Sequence, residues 1–118
     1  MIIHRQKWHE FTRLLIADRK GSVQVEMYDQ QQDWGGTAWI YGLWVEPAYR
    51  RQGKAGELLT VAENMAAQHG HKSVMLEWKK QDTPVEVLRW YKIRGYLERT
   101  LNTEGDYCLL EKRLQNEQ

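Results

Sequence analysis

The stretch VEPAYRRQGKAGELL, residues 45–59, decides how the rest of the chain is read. It leaves an apolar strand at Val45, passes Pro47 and the pair Arg50–Arg51, and enters a helical pattern. Small residues, Gly53, Ala55 and Gly56, sit where the helix begins, beside Lys54. A helix start leaves backbone N–H groups without partners, and the helix dipole is positive there. Small side chains let a ligand come close to those groups. Added cationic charge makes the whole an anion site of a size that suits a diphosphate. No Gly-Lys-Ser/Thr follows at Walker A spacing, and G-x-G-x-x-G is absent. An ordinary strand-to-helix turn with solvated arginines is the plain alternative.

Working outward, residues 37–45 (TAWIYGLWV) form a strand apolar on both faces, as a central strand should be. The helix runs from Gly53 to Gln68, with Leu58, Leu59, Ala62, Met65 and Ala66 on one face. Gly70 stands where a C-terminal cap belongs. Residues 73–78 (SVMLEW) are the next strand. Strand, helix and strand in this order imply a right-handed parallel crossover. Upstream, residues 11–30 read as two strands joined at RKGS, and 31–36 (QQDWGG) as a turn. Downstream, Thr83 and Glu86 have capping-box spacing, with Pro84 at the first helical position and Gly95 at the helix end. Residues 96–101 and 106–114 are two more strands around the turn at 102–105, and the tail 115–118 is expected to fray. The expectation is an α/β domain spanning residues 1–118, with five or six strands in mixed pairing and two helices.

The composition narrows the function. Net charge is +1, from 17 Lys+Arg against 16 Asp+Glu. A dedicated nucleic-acid or membrane surface would carry a strong basic excess, so neither partner is expected. Cys108 is the only cysteine, so no internal disulfide can form. With no long apolar run near the start, the cytoplasm is the expected compartment. Neither the spacing of the four histidines nor the lone thiol suggests a metal site. Six tryptophans and six tyrosines are expected mainly in the core, where each buries a large area. A groove or a dimer face is the alternative for some of them.

Residues 43–59, LWVEPAYRRQGKAGELL, resemble the signature of the GNAT superfamily of acyl-CoA N-acyltransferases. Arg50, Gly53 and Ala55 match its Arg/Gln-x-x-Gly-x-Gly/Ala pattern, after Val45, Pro47 and Tyr49. Residues 88–98, LRWYKIRGYLE, resemble a second family segment through Trp90, Tyr91, Gly95 and Tyr96. The likeness covers roughly residues 36–113. It implies the GNAT fold, a mixed, mostly antiparallel sheet with one central parallel crossover, and acetyl-CoA as cosubstrate. It also implies that Arg50, Arg51, Gln52, Gly53, Lys54, Ala55 and Gly56 hold the pyrophosphate. Backbone groups of Leu43 and Val45 would pair with the pantetheine arm, and Tyr91 would protonate the departing thiolate. The acceptor would be a small-molecule or peptide amine.

The match has gaps. Many relatives carry a carboxylate base on the central strand where this chain has Gly42; Tyr41, Glu46 and Glu77 lie nearby in sequence. About ten residues precede the strand at 11–18, too few for two helices that family members usually carry there. That predicts an open acceptor groove, a large acceptor or a wall supplied by a second subunit, and hence a homodimer. Pro84 stands where many relatives have an Asn. The competing readings are a non-catalytic acyl-CoA-binding module and a small anion or nucleic-acid binder using Arg50, Arg51, Lys79 and Lys80.

Overall fold

A computed structural model describes residues 1–100 and 106–115. Its elements are β1 (Ile2–Lys7), β2 (Phe11–Asp18), β3 (Gly21–Tyr28), β4 (Ala38–Val45), α1 (Lys54–Gln68), β5 (Ser73–Lys79), α2 (Val85–Ile93), β6 (Leu97–Thr100) and β7 (Tyr107–Arg113). A short 3₁₀ turn, Pro47–Tyr49, follows β4. The strands form one sheet in the order β1-β2-β3-β4-β5-β7-β6. Only the β4–β5 pair is parallel, and α1 is its crossover.

The chain's alternating patterns place the core. On β3, Val23, Val25 and Met27 are buried while Gln24, Glu26 and Tyr28 are half-buried. The buried set meets Leu58, Leu59, Ala62 and Ala66 of α1. Truncating either leucine to alanine would cost about 2–5 kcal/mol, because both are wholly buried. Leu88 of α2 and Trp78 of β5 join the same cluster. Arg94 Nη2 donates to the Gly56 carbonyl at 3.1 Å and to Thr60 Oγ1 at 2.8 Å, so the two helices lie side by side. Both therefore cover one face of the sheet.

The other face carries no helix among the described residues. A row of rings crosses it instead. Trp8 stacks on Phe11 at 4.8 Å, Phe11 on Tyr28 at 5.0 Å, and Trp34 lies 5.1 Å from Trp39. The tryptophans and tyrosines were expected mainly in the core, yet only Trp78 and Tyr96 among them are fully buried. Trp78 is buried, but Trp8 and Trp44 are exposed, and Trp34, Trp39 and Trp90 are half-buried.

Two further expectations change. Seven strands form, rather than five or six, because Ile2–Lys7 pairs with β2 as an edge strand. All six of its residues are exposed, so it has no apolar alternation to read. The capping box at Thr83 is not formed. Thr83 Oγ1 donates to the Lys79 carbonyl at 3.1 Å, closing the turn after β5. Pro84 then serves as the cap residue, with an extended ψ of 157° and no side-chain bond. Trp78 Nε1, donating to the Pro84 carbonyl at 3.1 Å, pins the helix start. The turn at 102–105 and residues 116–118 lie outside the described residues.

Candidate active site

The site begins where β4 and β5 part. Trp39 and Met75 are in register, and no further pair follows toward Val45. On its other side, β4 slips against β3 between Ser22 and Gln24. Gly42 sits in this bulge with φ +67°, a conformation that costs an L side chain about 1–2 kcal/mol. The parting opens a cleft of about 630 Å³ between the end of β4, the start of α1 and α2. Leu43, Val45, Arg50, Arg51, Gly53, Lys54, Ala55, Gly56 and Tyr91 all line it. Thr83, Val87 and Trp90 also line it, with Trp44, Tyr49, Asp82 and Pro84, and sequence reasoning had not singled out Thr83 or Val87 as lining residues. Gln52 faces a separate depression with Lys20 and Tyr49.

The geometry of the loop is suited to an anion. Arg51 and Gly53 both have left-handed backbones, φ 63° and 83°. The first intrahelical bond runs from Glu57 N–H to the Gly53 carbonyl at 3.0 Å. The N–H groups of Lys54, Ala55 and Gly56 are thus left without intrahelical acceptors. Arg50 is held in place: its Nε donates to the Val45 carbonyl at 2.8 Å, and its guanidinium lies 4.6 Å over the Trp44 ring. Lys54 is differently employed. Its ammonium bonds Asp18 and also Glu57, the latter at 2.7 Å. Its charge is already matched, and it ties α1 to the β2–β3 turn. The Lys54 hydrogen bond pulls the Asp18 carboxyl down to about 2.

Tyr91 projects from α2 into the same cleft. Burial alone raises its phenol above the ordinary value, so it stays protonated at neutral pH. Its ring packs at 5.3 Å from Trp90 and 5.7 Å from Tyr96. Tyr96 is itself anchored: its hydroxyl donates to Glu63 Oε2 at 2.7 Å, and Lys112 donates to Glu63 Oε1 at 2.9 Å.

A second cavity, about 250 Å³, adjoins the cleft along Leu43 and Tyr91. Trp39, Ile40, Tyr41, Gly42, Leu76 and Glu77 complete its lining. Of the carboxylate and phenol candidates near Gly42, Tyr41 and Glu77 reach this cavity. Glu46 does not; it is exposed at the start of the 3₁₀ turn. Glu26 went unnoticed in the sequence, although it holds a polar position in an alternating strand. It accepts from Tyr41 at 2.8 Å, Tyr28 at 2.6 Å and Arg13 at 2.9 Å. Lys79 and Lys80 line a depression with Gln81, Asp106 and Tyr107, separate from the Arg50–Arg51 loop. Among the described residues, no three His, Cys, Asp or Glu side chains are placed to hold a metal ion.

Comparison with known proteins bears on the family and the fold. A family model, the acetyltransferase (GNAT) family, matches residues 5–96. An acetyltransferase from Bacillus cereus ATCC 14579 is 25% identical, with a TM-score of 0.65 over 89% of this chain and 74% of that one. The ribosomal-protein-S18-alanine N-acetyltransferase of Escherichia coli shares the fold at 15% identity, with a TM-score of 0.67 and coverage of 92% and 72%. The PaiA N-acetyltransferase of Thermoplasma acidophilum, solved with coenzyme A, does so at 20% identity and a TM-score of 0.64. That match covers 88% of this chain and 61% of that one. No curated protein matches the sequence.

Proposed function

The chain belongs to the GNAT acetyltransferase family, and on that premise we propose that it transfers the acetyl group of acetyl-CoA to a primary amine by direct attack. One observation carries this reading: a single cleft gathers the α1 cradle, the free end of β4 and Tyr91. The pyrophosphate would lie on the N–H groups of Lys54, Ala55 and Gly56, with Arg50 and Arg51 adding charge. The pantetheine arm would pair with Leu43 and Val45 as an added strand does. A β4 backbone N–H would then stabilise the oxyanion as the amine attacks the carbonyl carbon. When the C–S bond breaks, Tyr91 would pass its proton to the thiolate.

Gly42 favours a second reading, a non-catalytic acyl-CoA-binding module, because it supplies no carboxylate. One experiment separates the two. Thermal melts with acetyl-CoA should rise, since a ligand at a hundred times its Kd adds about 2.7 kcal/mol. Thiol release should then be followed with spermidine, benzylamine and an alanyl peptide. No melting shift at millimolar acetyl-CoA would sink both readings. A shift without thiol release would leave the binding module.

The working unit we assign is a homodimer in a reducing cytoplasm. β1 has a neighbour on one side only, and Ile2 and Ile3 are 72% and 44% exposed on it. An open strand edge with apolar residues favours pairing. Sedimentation at micromolar concentration should show twice the mass of one chain; a monomer throughout would contradict it.

A further inference from the structure

We infer that Tyr41 and Glu26 form a two-residue relay that takes the proton from the attacking amine, a role resting on the acetyl-transfer reading above. The strand position that supplies a carboxylate in many relatives is Gly42. Its φ of +67° disfavours any longer side chain there. The relay uses the neighbouring residue and the neighbouring strand instead.

Placement comes first. Tyr41 lies on the sheet face opposite α2, paired with Gln24 of β3. It lines the smaller cavity, which meets the cofactor cleft at Leu43 and Tyr91. The thioester would approach from the helix side and the amine from the open side, so the two proton-handling phenols flank the reacting carbon from opposite faces.

Hydrogen bonding comes second. The Tyr41 hydroxyl donates to Glu26 Oε2 at 2.8 Å and lies 3.2 Å from Gln24 Oε1. No hydrogen bond among the described residues donates to the Tyr41 oxygen, so its lone pairs can accept an N–H. Glu26 is fixed from three strands. Arg13 of β2 donates through Nε at 3.1 Å and Nη2 at 2.9 Å, Tyr28 of β3 donates at 2.6 Å, and Tyr41 of β4 completes the set. The other titratable groups facing the cavity are Glu77, 3.4 Å from the Lys79 ammonium, and Tyr91.

Titration fits the roles. Burial, then the Glu26 hydrogen bond, raise the Tyr41 phenol to about 12, so it remains a neutral phenol between turnovers. Burial also works to raise the Glu26 carboxyl, but the hydrogen bonds of Tyr28, Tyr41 and Arg13 outweigh it. Glu26 stays ionised and ready to accept well into the acid range.

The proton count closes. The amine lone pair bonds the carbonyl carbon, and the carbonyl π pair moves to oxygen. An N–H proton of the adduct passes to the Tyr41 oxygen as the Tyr41 hydroxyl proton passes to Glu26 Oε2. The carbonyl re-forms, the C–S pair leaves on sulfur, and the Tyr91 proton neutralises it. Solvent then removes the proton from Glu26 and returns one to Tyr91. The nitrogen of the adduct is more acidic than a free ammonium, and loss of the thiolate, neutralised by Tyr91, draws the transfer to Glu26 forward.

The test compares wild type with Tyr41→Phe, Glu26→Gln and Glu77→Gln, using spermidine, benzylamine and an alanyl peptide as acceptors. Tyr41→Phe should lower kcat/KM about 10²-fold near pH 7, the range of a positioned proton-transfer group. Acetyl-CoA affinity by calorimetry should not change. The deficit should shrink as pH rises, because hydroxide replaces the relay; damage to packing would lower the rate equally at every pH. Glu26→Gln should follow Tyr41→Phe. Unchanged turnover in Tyr41→Phe, or a loss confined to Glu77→Gln, overturns the relay and leaves acetyl transfer standing. Thiol release by no acceptor in wild type, despite acetyl-CoA binding, removes both.

Discussion

Trp39 of β4 and Met75 of β5 are the one pair in register between the two parallel strands. The sheet is closed at that end of the seam and open at the other. The bulge at Gly42 lies toward the open end, where a cleft and a smaller cavity form. A cofactor-sized cleft on the helix side and a smaller cavity thereby share Leu43 and Tyr91. The predictions below test what this opening does.

Replacing Tyr91 with phenylalanine keeps the ring against Trp90 and Tyr96 and removes only the hydroxyl. Turnover should fall about 10²-fold, because the thiolate must leave without a positioned acid. Acetyl-CoA affinity should hold, since the proposed phosphate position is at the other end of the cleft. Steady-state kinetics beside calorimetry will show it; equal turnover would take Tyr91 out of the mechanism.

Gly53→Val acts on the cradle. The Cβ site itself is open, with nothing within 4 Å, so crowding within the protein is not the difficulty. The left-handed φ of 83° is, at about 1–2 kcal/mol, and the branched side chain would also occupy space a phosphate needs. Calorimetry should find acetyl-CoA binding weakened at least tenfold in a folded variant. Normal binding would move the pyrophosphate elsewhere.

Acid stability should reveal the bond between Lys54 and Asp18. The Asp18 carboxyl lies at about 2 in the fold, against an ordinary 3.8. A lowered carboxyl stabilises the folded state above its unfolded value, and that contribution disappears as pH falls toward the folded one. Wild type should therefore lose stability between about pH 4 and pH 2. Asp18→Asn should be less stable than wild type at pH 6 and show a flatter decline across that interval. Parallel urea curves for both proteins at each pH would contradict the assignment.

Glu63→Ala tests the brace behind Tyr91. Glu63 is 6% exposed and accepts from both Tyr96 and Lys112. Its loss strands a buried hydroxyl and a half-covered ammonium, which should cost about 3 kcal/mol. Urea denaturation would measure this; a change below 1 kcal/mol would mean that the network contributes little.

The cofactor half of the site was legible in the sequence because its parts are local. Residues 45–59 carry a strand end, a run of small residues and a helix start in one contiguous stretch, and backbone geometry alone leaves N–H groups without partners there. Residues 88–98 likewise place Tyr91 one helix turn before Gly95. Neighbours in sequence are there neighbours in space. The acceptor half was not legible for the opposite reason. Glu26 and Tyr41 are fifteen positions apart and meet only because β3 and β4 pair with Gln24 opposite Tyr41 and Glu26 opposite Trp39. Lys54 looked like a phosphate ligand until β2 brought Asp18 to it. Thr83 looked like a helix cap until its hydroxyl found the Lys79 carbonyl. Each of those side chains had more than one partner within reach, and strand register, which no short stretch encodes, decided which it met.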